Sequence, residues 1–427
     1  MSLCTSRRTL LKSALASAGV AFGMPLFVPS RLFGAEAPSN RINLGFIGPG
    51  SRGIAVLGNF LRVPHMQVVA VSDCFEERRT NAVQAVDRAA GGKVCTAYRD
   101  FRDLLARPDI DGVVIATPDH WHVPIGILAA RAGKDMYIEK PLGMSVEQDF
   151  AMREAVRRHQ RVFQYGTQQR SMGHIHRGCQ LIRNGRLGKL SSINVIAPGG
   201  LRGGSTVPEP VPPGFDYDMF RGPAPERPYT RDLCRGWAGS FFVSDQSLGF
   251  IGGWGAHPLD VMSWALGDTM ACVPVEISGR GDIPTEGLYD TPVTWKLTGR
   301  LADGTNWSFG TGTDCTTFVG ERGTISLSRG AWSCDPISLW YEDPLPGETA
   351  LPVSTDHSAD FVNAIRERRD PVSSIDGAVY SDLITQLSYI AVVTGRPVRW
   401  DPVACTIPGD EGQRRMLRRA MRGPWTL

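Results

Sequence analysis

Residues 41–53 read RINLGFIGPGSRG, and this stretch decides the fold of the chain. Its first seven residues form an apolar run of strand length, its glycines have the spacing G-x-G-x-x-G, and a helical apolar pattern continues to residue 61. A strand, a glycine turn and a helix in this order predict a site for a dinucleotide pyrophosphate. Gly48 permits the tight turn, Gly50 lets the backbone approach the phosphates, and Gly53 lets the helix pack on the strand. The free N–H groups of the first helical turn, at Ser51 and Arg52, then face the phosphates.

A second apolar strand at residues 67–72 ends in Asp73, about 20 residues beyond the glycines, where a ribose-binding acid is expected. A carboxylate there hydrogen-bonds ribose hydroxyls and repels a 2′-phosphate, so the sequence predicts NAD, with NADP the less favoured cofactor. Arg78 and Arg79 would soften this preference, but we expect them on the solvated face of the next helix. The alternative for Asp73 is an ordinary loop acid that follows a strand.

Apolar strands and helical segments alternate from residue 38 to residue 165, as an N-terminal Rossmann domain with a doubly wound parallel sheet requires. Ligands of such sheets bind outside the carboxyl ends of the strands. The predicted strands at residues 113–116, 136–138 and 161–165 therefore bring their following loops to the edge that holds the glycine turn. The cofactor candidates in these loops are Thr117, Pro118, His120, Trp121, His122, Glu139, Lys140 and Gln168.

The pattern changes at residue 166, and residues 166–427 predict an α+β domain with an open, largely antiparallel sheet. Alternating segments at residues 292–301, 305–312 and 323–327 are typical of its strands. Residues 198–232 are rich in Gly and Pro, yet they contain four aromatic residues from Phe215 to Tyr229. This composition predicts an ordered loop over a cleft rather than a flexible linker.

Residues 1–37 carry the net charge of the chain and resemble a twin-arginine export signal. Arg7, Arg8 and Lys12 precede a weakly apolar stretch, residues 13–28, that is too short for a spanning helix. We therefore expect export in the folded state to the periplasm or the exterior, without stable membrane insertion after signal cleavage. The alternative is a chance arginine pair ahead of a signal anchor.

The remaining composition excludes several classes of function. Acidic and basic residues balance beyond residue 37, so nothing favours a nucleic acid or an anionic membrane as a partner. The nine cysteines form no C-x-x-C pair, and His120 and His122 lack a third ligand, so no metal site is predicted. Scattered thiols are the simpler interpretation of the cysteines, although export to an oxidising compartment leaves disulfide pairing open.

Several short motifs in a fixed order carry a resemblance to a known family. They are TPDHWH at residues 117–122, EKPL at 139–142, GTQQR at 166–170, DYD at 216–218, GPAP at 222–225, GWGAHPLD at 253–260 and GRPVRWDP at 395–402. With the glycine turn, they resemble the Gfo/Idh/MocA oxidoreductases, specifically their exported bacterial branch. The resemblance implies a nicotinamide cofactor, a sugar or polyol substrate, and homo-oligomers that form through the C-terminal sheet.

Oxidation of a secondary alcohol needs a group that takes the hydroxyl proton and a positive charge that steadies the developing alkoxide. Lys140 stands at a strand end on the cofactor edge, and His257 matches the catalytic histidine of the family, so both are predicted to be catalytic. A surface lysine and a structural histidine are the alternatives. Further substrate contacts are expected from Trp254, from Asp260, which otherwise caps a helix beginning at residue 259, and from Arg170, which is otherwise a salt-bridged surface residue.

One position departs from the family pattern. Family dehydrogenases commonly carry an Asp four residues before this histidine, and here the position is Gly253. A simple Lys-Asp-His relay therefore cannot be assumed. Besides a dehydrogenase, the sequence leaves open a redox-neutral NAD-dependent glycosidase or lyase that oxidises a sugar transiently. A non-catalytic sugar-binding protein is the third possibility, and the presence of Lys140 and His257 argues against it.

Overall fold

A computed structural model describes residues 41–234 and 239–427 of the chain. The predicted twin-arginine signal at residues 1–37 lies outside the described residues, and export stays a prediction. Among the helices described, none combines the length and the hydrophobicity that crossing a bilayer requires.

The N-terminal part contains a six-stranded parallel sheet in the order β3-β2-β1-β4-β5-β6. This is the strand order of the dinucleotide-binding Rossmann fold, so the predicted fold class is confirmed. The carboxyl ends of β1 and β4 lie side by side, where the strand order reverses, and a ligand crevice opens at such a point. The strands are β1 (Ile42–Ile47), β2 (Met66–Ser72), β3 (Thr96–Tyr98), β4 (Gly112–Ile115), β5 (Asp135–Ile138) and β6 (Phe163–Tyr165).

Helices cover both faces of this sheet: α1 (Ser51–Phe60), α2 (Glu76–Ala90), α3 (Phe101–Leu105), α4 (His122–Arg131) and α5 (Val146–Arg158). The apolar face of α1 packs Val56, Leu57 and Phe60 against Leu44 and Phe46 of β1, and all five are buried. Burial of each such side chain contributes about 1.5–3 kcal/mol relative to exposure. This packing fixes the N-terminus of α1 against the end of β1, where the glycine turn lies.

The C-terminal part contains an eight-stranded sheet in the order β13-β12-β11-β7-β10-β9-β8-β14. Its strands are β7 (Leu190–Ala197), β8 (Glu276–Asp282), β9 (Thr294–Arg300), β10 (Asn306–Thr311), β11 (Cys315–Gly320), β12 (Gly323–Leu327), β13 (Trp332–Asp335) and β14 (Val398–Arg399). β7 and β10 run parallel, and the other pairings described are antiparallel. The predicted open, largely antiparallel sheet is thereby confirmed, whereas association of copies through it stays a prediction.

Among the helices of the C-terminal part, some pack against the eight-stranded sheet and others reach the first sheet. They are α6 (Gly173–Arg183), α7 (Tyr217–Arg221), α8 (Arg231–Cys234), α9 (Phe250–Gly253), α10 (Ala256–Leu266), α11 (His357–Glu367), α12 (Ile375–Thr394) and α13 (Glu411–Arg415). Phe361 and Ile365 of α11 belong to the apolar cluster of β1, and Ala378 and Val379 of α12 to that of β4 and β5. The predicted domain boundary at residue 166 did not include this packing of α11 and α12 against the first sheet. An amphipathic pattern identifies the buried face of a helix but not the sheet that buries it.

Candidate active site

The glycine turn has the geometry that a pyrophosphate site needs. Gly48 has φ +83°, and a Cβ atom there would lie 2.8 Å from the backbone nitrogen of Thr117. A Cβ atom at Gly53 would overlap the carbonyl oxygen of Gly48, so this glycine holds the helix against the turn. A Cβ atom built at Gly50 would meet only the Arg78 guanidinium, at 3.5 Å, so the backbone here leaves room for a ligand. As the N-cap of α1, Gly50 brings no capping side chain, so the amides of the first turn are available to an anion.

A cleft with an empty volume of about 1000 Å³ opens at the carboxyl edge of the parallel sheet. It brings together most of the predicted cofactor residues: Gly48, Gly50, Ser51, Arg52, Asp73, Thr117, Pro118, Trp121, His122, Glu139 and Lys140. It is also lined by residues that sequence reasoning did not assign to the site: Arg78, Arg99, Asp119, Met219, Phe220 and Phe241. The lining therefore includes loops from both parts of the chain.

Asp73 lies at the end of β2, with its carboxylate in the cleft. Its Oδ1 accepts a hydrogen bond from the backbone nitrogen of Phe75 at 2.8 Å. Burial raises the pKa of Asp73, and the charge of Arg78 opposes this shift. Arg78 also lines the cleft, where its guanidinium lies 4.0 Å from the centroid of the Phe75 ring. The expectation that Arg78 faces solvent is therefore wrong, because α2 begins at the sheet edge and its first turn points toward the ligand side.

The loop at residues 198–232, called the covering loop below, reaches the predicted cleft through Met219 and Phe220. The indole Nε1 of Trp121 donates to the carbonyl oxygens of Met219 at 3.0 Å and Phe220 at 3.1 Å. The Phe215 ring stacks on Phe75 with a centroid separation of 3.7 Å. These contacts fasten the loop to the Rossmann domain beside the cofactor edge.

His120 does not line this cleft, contrary to the prediction that it contacts the cofactor. Its Nε2 is 3.0 Å from the carbonyl oxygen of Phe220, and the side chain faces a different cavity that contains Pro223 and Arg419. Burial lowers the pKa of His120 to about 4, so the imidazole is neutral. His120 therefore helps to hold the covering loop rather than the ligand.

Glu139 is the centre of a buried polar cluster. Its Oε1 accepts from Arg52 at 3.0 Å, from Gln168 at 2.9 Å and from the Tyr137 hydroxyl at 3.3 Å. Burial raises the pKa of Glu139, but the charges of Arg52 and Lys140 outweigh it and hold the pKa below its usual value. Gln168 thus acts on the cleft by orienting Glu139, and it is not itself part of the cleft lining.

Lys140 extends from the end of β5 toward the C-terminal part of the chain. Its Nζ donates to the carbonyl oxygen of Gly253 at 2.8 Å and lies 5.7 Å from the centroid of the Phe241 ring. Burial lowers the pKa of Lys140, and the charges of Glu139 and Asp119 oppose that shift. A Cβ atom built at Gly253 would meet its nearest described neighbour, Cδ1 of Phe241, at 3.8 Å. Packing therefore does not demand a glycine at this position.

A buried carboxylate on α12 fixes the loop that follows Lys140. Oδ2 of Asp382 accepts from the backbone nitrogens of Leu142 at 2.9 Å and Gly143 at 3.1 Å, and Oδ1 accepts from the Tyr165 hydroxyl at 2.7 Å. Burial raises the pKa of Asp382 to about 7. Through these bonds, α12 holds the backbone next to Lys140 in place.

The variant Asp382→Ala is expected to lose about 2 kcal/mol or more of unfolding free energy, because it leaves two buried N–H groups without an acceptor. Asp382→Asn should keep most of this stability, since an amide oxygen can accept from both. Urea denaturation of the two variants checks the expectation. Equal losses in both would show that charge rather than hydrogen bonding holds the loop.

His257 lies in the first turn of α10, which begins at Ala256, so the prediction that the helix starts at residue 259 is corrected. The residue is 3% exposed, its Nδ1 has no hydrogen-bond partner within the described residues, and its ring centroid lies 6.0 Å from that of Trp254. Burial and the charges of Lys140, Arg329 and Arg52 lower the pKa of His257 well below 6.5. The environment therefore favours the neutral form of the imidazole.

Arg170 and Asp260 form a buried ion pair, which corrects the prediction that they contact substrate. The guanidinium donates to both oxygens of Asp260, at 2.8 and 2.6 Å, and also to Asp268 at 2.7 Å. The side chains of Arg170 and Asp260 are each 1% exposed. Asp260 does not cap α10 either, because its carboxylate is fully engaged with Arg170. The pair joins the segment after β6 to α10 beneath the site.

Within the described ranges, no group of three or more His, Cys, Asp or Glu residues could hold a metal ion. The eight cysteines of these ranges are free thiols, whereas Cys4 lies outside them.

Comparisons with known proteins give matches along most of the chain. Residues 42–167 match the GFO_IDH_MocA family model, described as "Oxidoreductase family, NAD-binding Rossmann fold". Residues 202–427 match a second model, described as "Oxidoreductase family, C-terminal alpha/beta domain".

A curated relative is a glycosyl hydrolase family 109 protein of Saccharopolyspora erythraea, 33% identical over 173 residues. The match spans 36% of this chain and only 38% of that protein. Two solved structures share the fold: levoglucosan dehydrogenase in complex with NADH and levoglucosan (TM-score 0.59), and aldose-aldose oxidoreductase from Caulobacter crescentus in complex with glycerol (TM-score 0.58). Each is 18% identical and covers 84% of this chain and 99% of its own.

Proposed function

The chain belongs to the Gfo/Idh/MocA oxidoreductase family, and on that premise we propose that it uses NAD to oxidise a secondary alcohol of a sugar, sugar derivative or polyol. One observation carries the proposal: Lys140 lines the dinucleotide cleft, and its Nζ donates a hydrogen bond to the backbone of the segment that contains His257. A cation that lines the cleft is thus bonded to Gly253, four residues before the buried imidazole of His257. The named solved structures act on or bind carbohydrates and polyols, and this agrees with the proposal.

The pyrophosphate of NAD fits the glycine turn and the open first turn of α1, and its ribose fits Asp73. NAD, when bound, would accept the two electrons of the alcohol. The Lys140 ammonium donates to the hydroxyl oxygen and stabilises the alkoxide as it forms. The neutral imidazole of His257 takes the hydroxyl proton. The covering loop, fastened by Trp121, keeps water from the cleft.

A redox-neutral glycosidase is the second candidate, favoured by Gly253 in place of an acid and by the glycosyl hydrolase relative. The two candidates differ in their products. The glycosidase should release nitrophenol from a nitrophenyl glycoside without net formation of reduced cofactor, whereas the oxidoreductase should give reduced cofactor in proportion to oxidised sugar.

Protein purified without added cofactor is expected to carry close to one NAD(H) per chain, detected by mass spectrometry after denaturation. The covering loop lines part of the cleft, and an exported enzyme that meets little free dinucleotide needs a retained cofactor. A consistently empty protein that binds NAD⁺ only at millimolar concentration would contradict this prediction, and with it the proposal that the enzyme is exported preloaded.

Titration calorimetry on protein stripped of nucleotide should show tighter binding of NAD⁺ than of NADP⁺. Asp73→Asn should weaken NAD⁺ about tenfold or more, because charged hydrogen bonds to ribose contribute about 1.5–3 kcal/mol. The same variant should reduce the difference in affinity between NAD⁺ and NADP⁺, since Arg78 also lines the cleft and can bind a 2′-phosphate. Glu77→Gln, an exposed acid on α2, serves as the control. Tighter binding of NADP⁺ by the unmodified protein would overturn the assignment.

A further inference from the structure

Four side chains of the C-terminal part form a polar wall near Lys140, outside the lining of the cleft. Trp254 and His257 come from the segment around the start of α10, Asp314 precedes β11, and Arg329 lies in the turn between β12 and β13. Three atoms of this wall are buried without a hydrogen-bond partner in the described chain: Nε1 of Trp254, Nδ1 of His257 and Oδ1 of Asp314. Buried polar atoms are almost always paired in folded proteins, so an unpaired group of this kind points to a ligand.

Direct contacts link three of these side chains. The Arg329 guanidinium lies 5.5 Å from the centroid of the Trp254 ring, which is in turn in edge contact with His257. Burial and the charges of Lys140 and Arg329 lower the pKa of His257. The charges that act on Arg329 are those of Asp314, Arg52 and Glu139. The charge of Arg329 therefore acts on His257, the group proposed to receive the substrate proton.

Acidic groups act on the charge of Arg329 without forming an ion pair with it in the described residues. The negative charge of Glu139 is already engaged by Arg52. Burial raises the pKa of Asp314, whereas the hydrogen bond that it accepts from Gln169 at 3.1 Å and the charge of Arg329 oppose this shift. The Arg329 side chain is exposed and forms no ion pair within the part of the chain that the structure describes. Its guanidinium is thus open to an acid group of a ligand beside Trp254.

Resting on the proposed function, we infer that the substrate is an anionic carbohydrate whose acid group is bound by Arg329. A guanidinium presents parallel N–H donors that match a carboxylate or a phosphate. Trp254 supports the guanidinium from one side, and its Nε1 and the Asp314 carboxyl group provide hydrogen bonds for sugar hydroxyls. The acid group is then held by Arg329 while a hydroxyl reaches Lys140 and His257.

The test measures binding to full-length, NAD-loaded protein by calorimetry, with matched probes: glucuronate against glucose, galacturonate against galactose, and glucose 6-phosphate against glucose. The unmodified protein should bind at least one acid about tenfold or more tightly than its neutral partner. Arg329→Gln should remove that preference, and Arg329→Lys should restore part of it. Arg366→Gln, which removes an exposed arginine of α11, is the charge-matched control and should keep the preference.

The three probe pairs also identify the acid group. Tighter binding of the uronates than of their neutral partners indicates a carboxylate, and tighter binding of glucose 6-phosphate than of glucose indicates a phosphate ester. No preference for an acid in any pair, including no binding at all, overturns the inference, as does a preference that survives Arg329→Gln. The proposed function fails separately. If neutral sugars alone reduce the bound cofactor, the oxidoreductase stands and the inference falls. If acids bind through Arg329 but no probe reduces the cofactor, the oxidoreductase assignment is the part that fails.

Discussion

Lys140→Met is expected to lower the rate of substrate oxidation by about a hundredfold or more while the fold and the bound nucleotide are retained. The variant removes the ammonium that steadies the alkoxide and replaces the Nζ bond to Gly253 with an apolar end of similar length. The rate should be measured by the near-ultraviolet absorbance of the reduced nicotinamide, with circular dichroism as a check on the fold.

Lys296→Met provides a matched control, because this lysine is exposed on β9 and distant in sequence from the cleft loops. Its rate should equal that of the unmodified protein. Near-normal oxidation by Lys140→Met would contradict the proposed mechanism, because a group other than Lys140 would then stabilise the alkoxide.

His257→Ala is expected to lower the rate by a similar factor, about a hundredfold, because it removes the neutral base that takes the hydroxyl proton. The depressed pKa of His257 also fixes the sign of the pH dependence. The base form is lost only as the pH falls through that depressed pKa, so kcat/KM should stay level down to pH 6.5 and decline well below it.

His159→Ala is the control for this variant, since His159 is half-buried at the end of α5 and outside the cleft. A decline of kcat/KM that is centred at or above pH 6.5 would contradict the assignment of His257 as a buried neutral base. Near-normal oxidation by His257→Ala would move the proton to another group, with a tyrosine of the covering loop as the next candidate.

The N-terminal sheet could be predicted because its strands are buried on both faces and therefore form continuous apolar runs. β8 could not be predicted, since only Ile277 of its seven residues is buried and Gly279 and Gly281 interrupt any alternation. β3 has only three residues, and Thr96 and Ala97 are exposed. A strand with so little buried surface leaves no pattern in the sequence.

The cofactor residues could be predicted because each stands at the end of a strand, and strand ends share one edge of a parallel sheet. The contacts of the C-terminal side chains could not be predicted in this way. Arg170 and Asp260 are ninety positions apart, and nothing in their spacing shows that they pair with each other rather than with substrate. Arg329 lies in a turn between two strands of the other sheet, so only the tertiary structure places it near Trp254.

The central claim is that this cleft transfers the electrons of a carbohydrate hydroxyl to its own bound NAD. The most direct test mixes NAD-loaded protein with a panel of neutral and acidic sugars and polyols in excess and follows the absorbance of reduced nicotinamide during a single turnover. We predict that at least one compound produces this absorbance and that Lys140→Met abolishes it. Absence of the signal with every compound, in protein shown to contain oxidised NAD, would contradict the account.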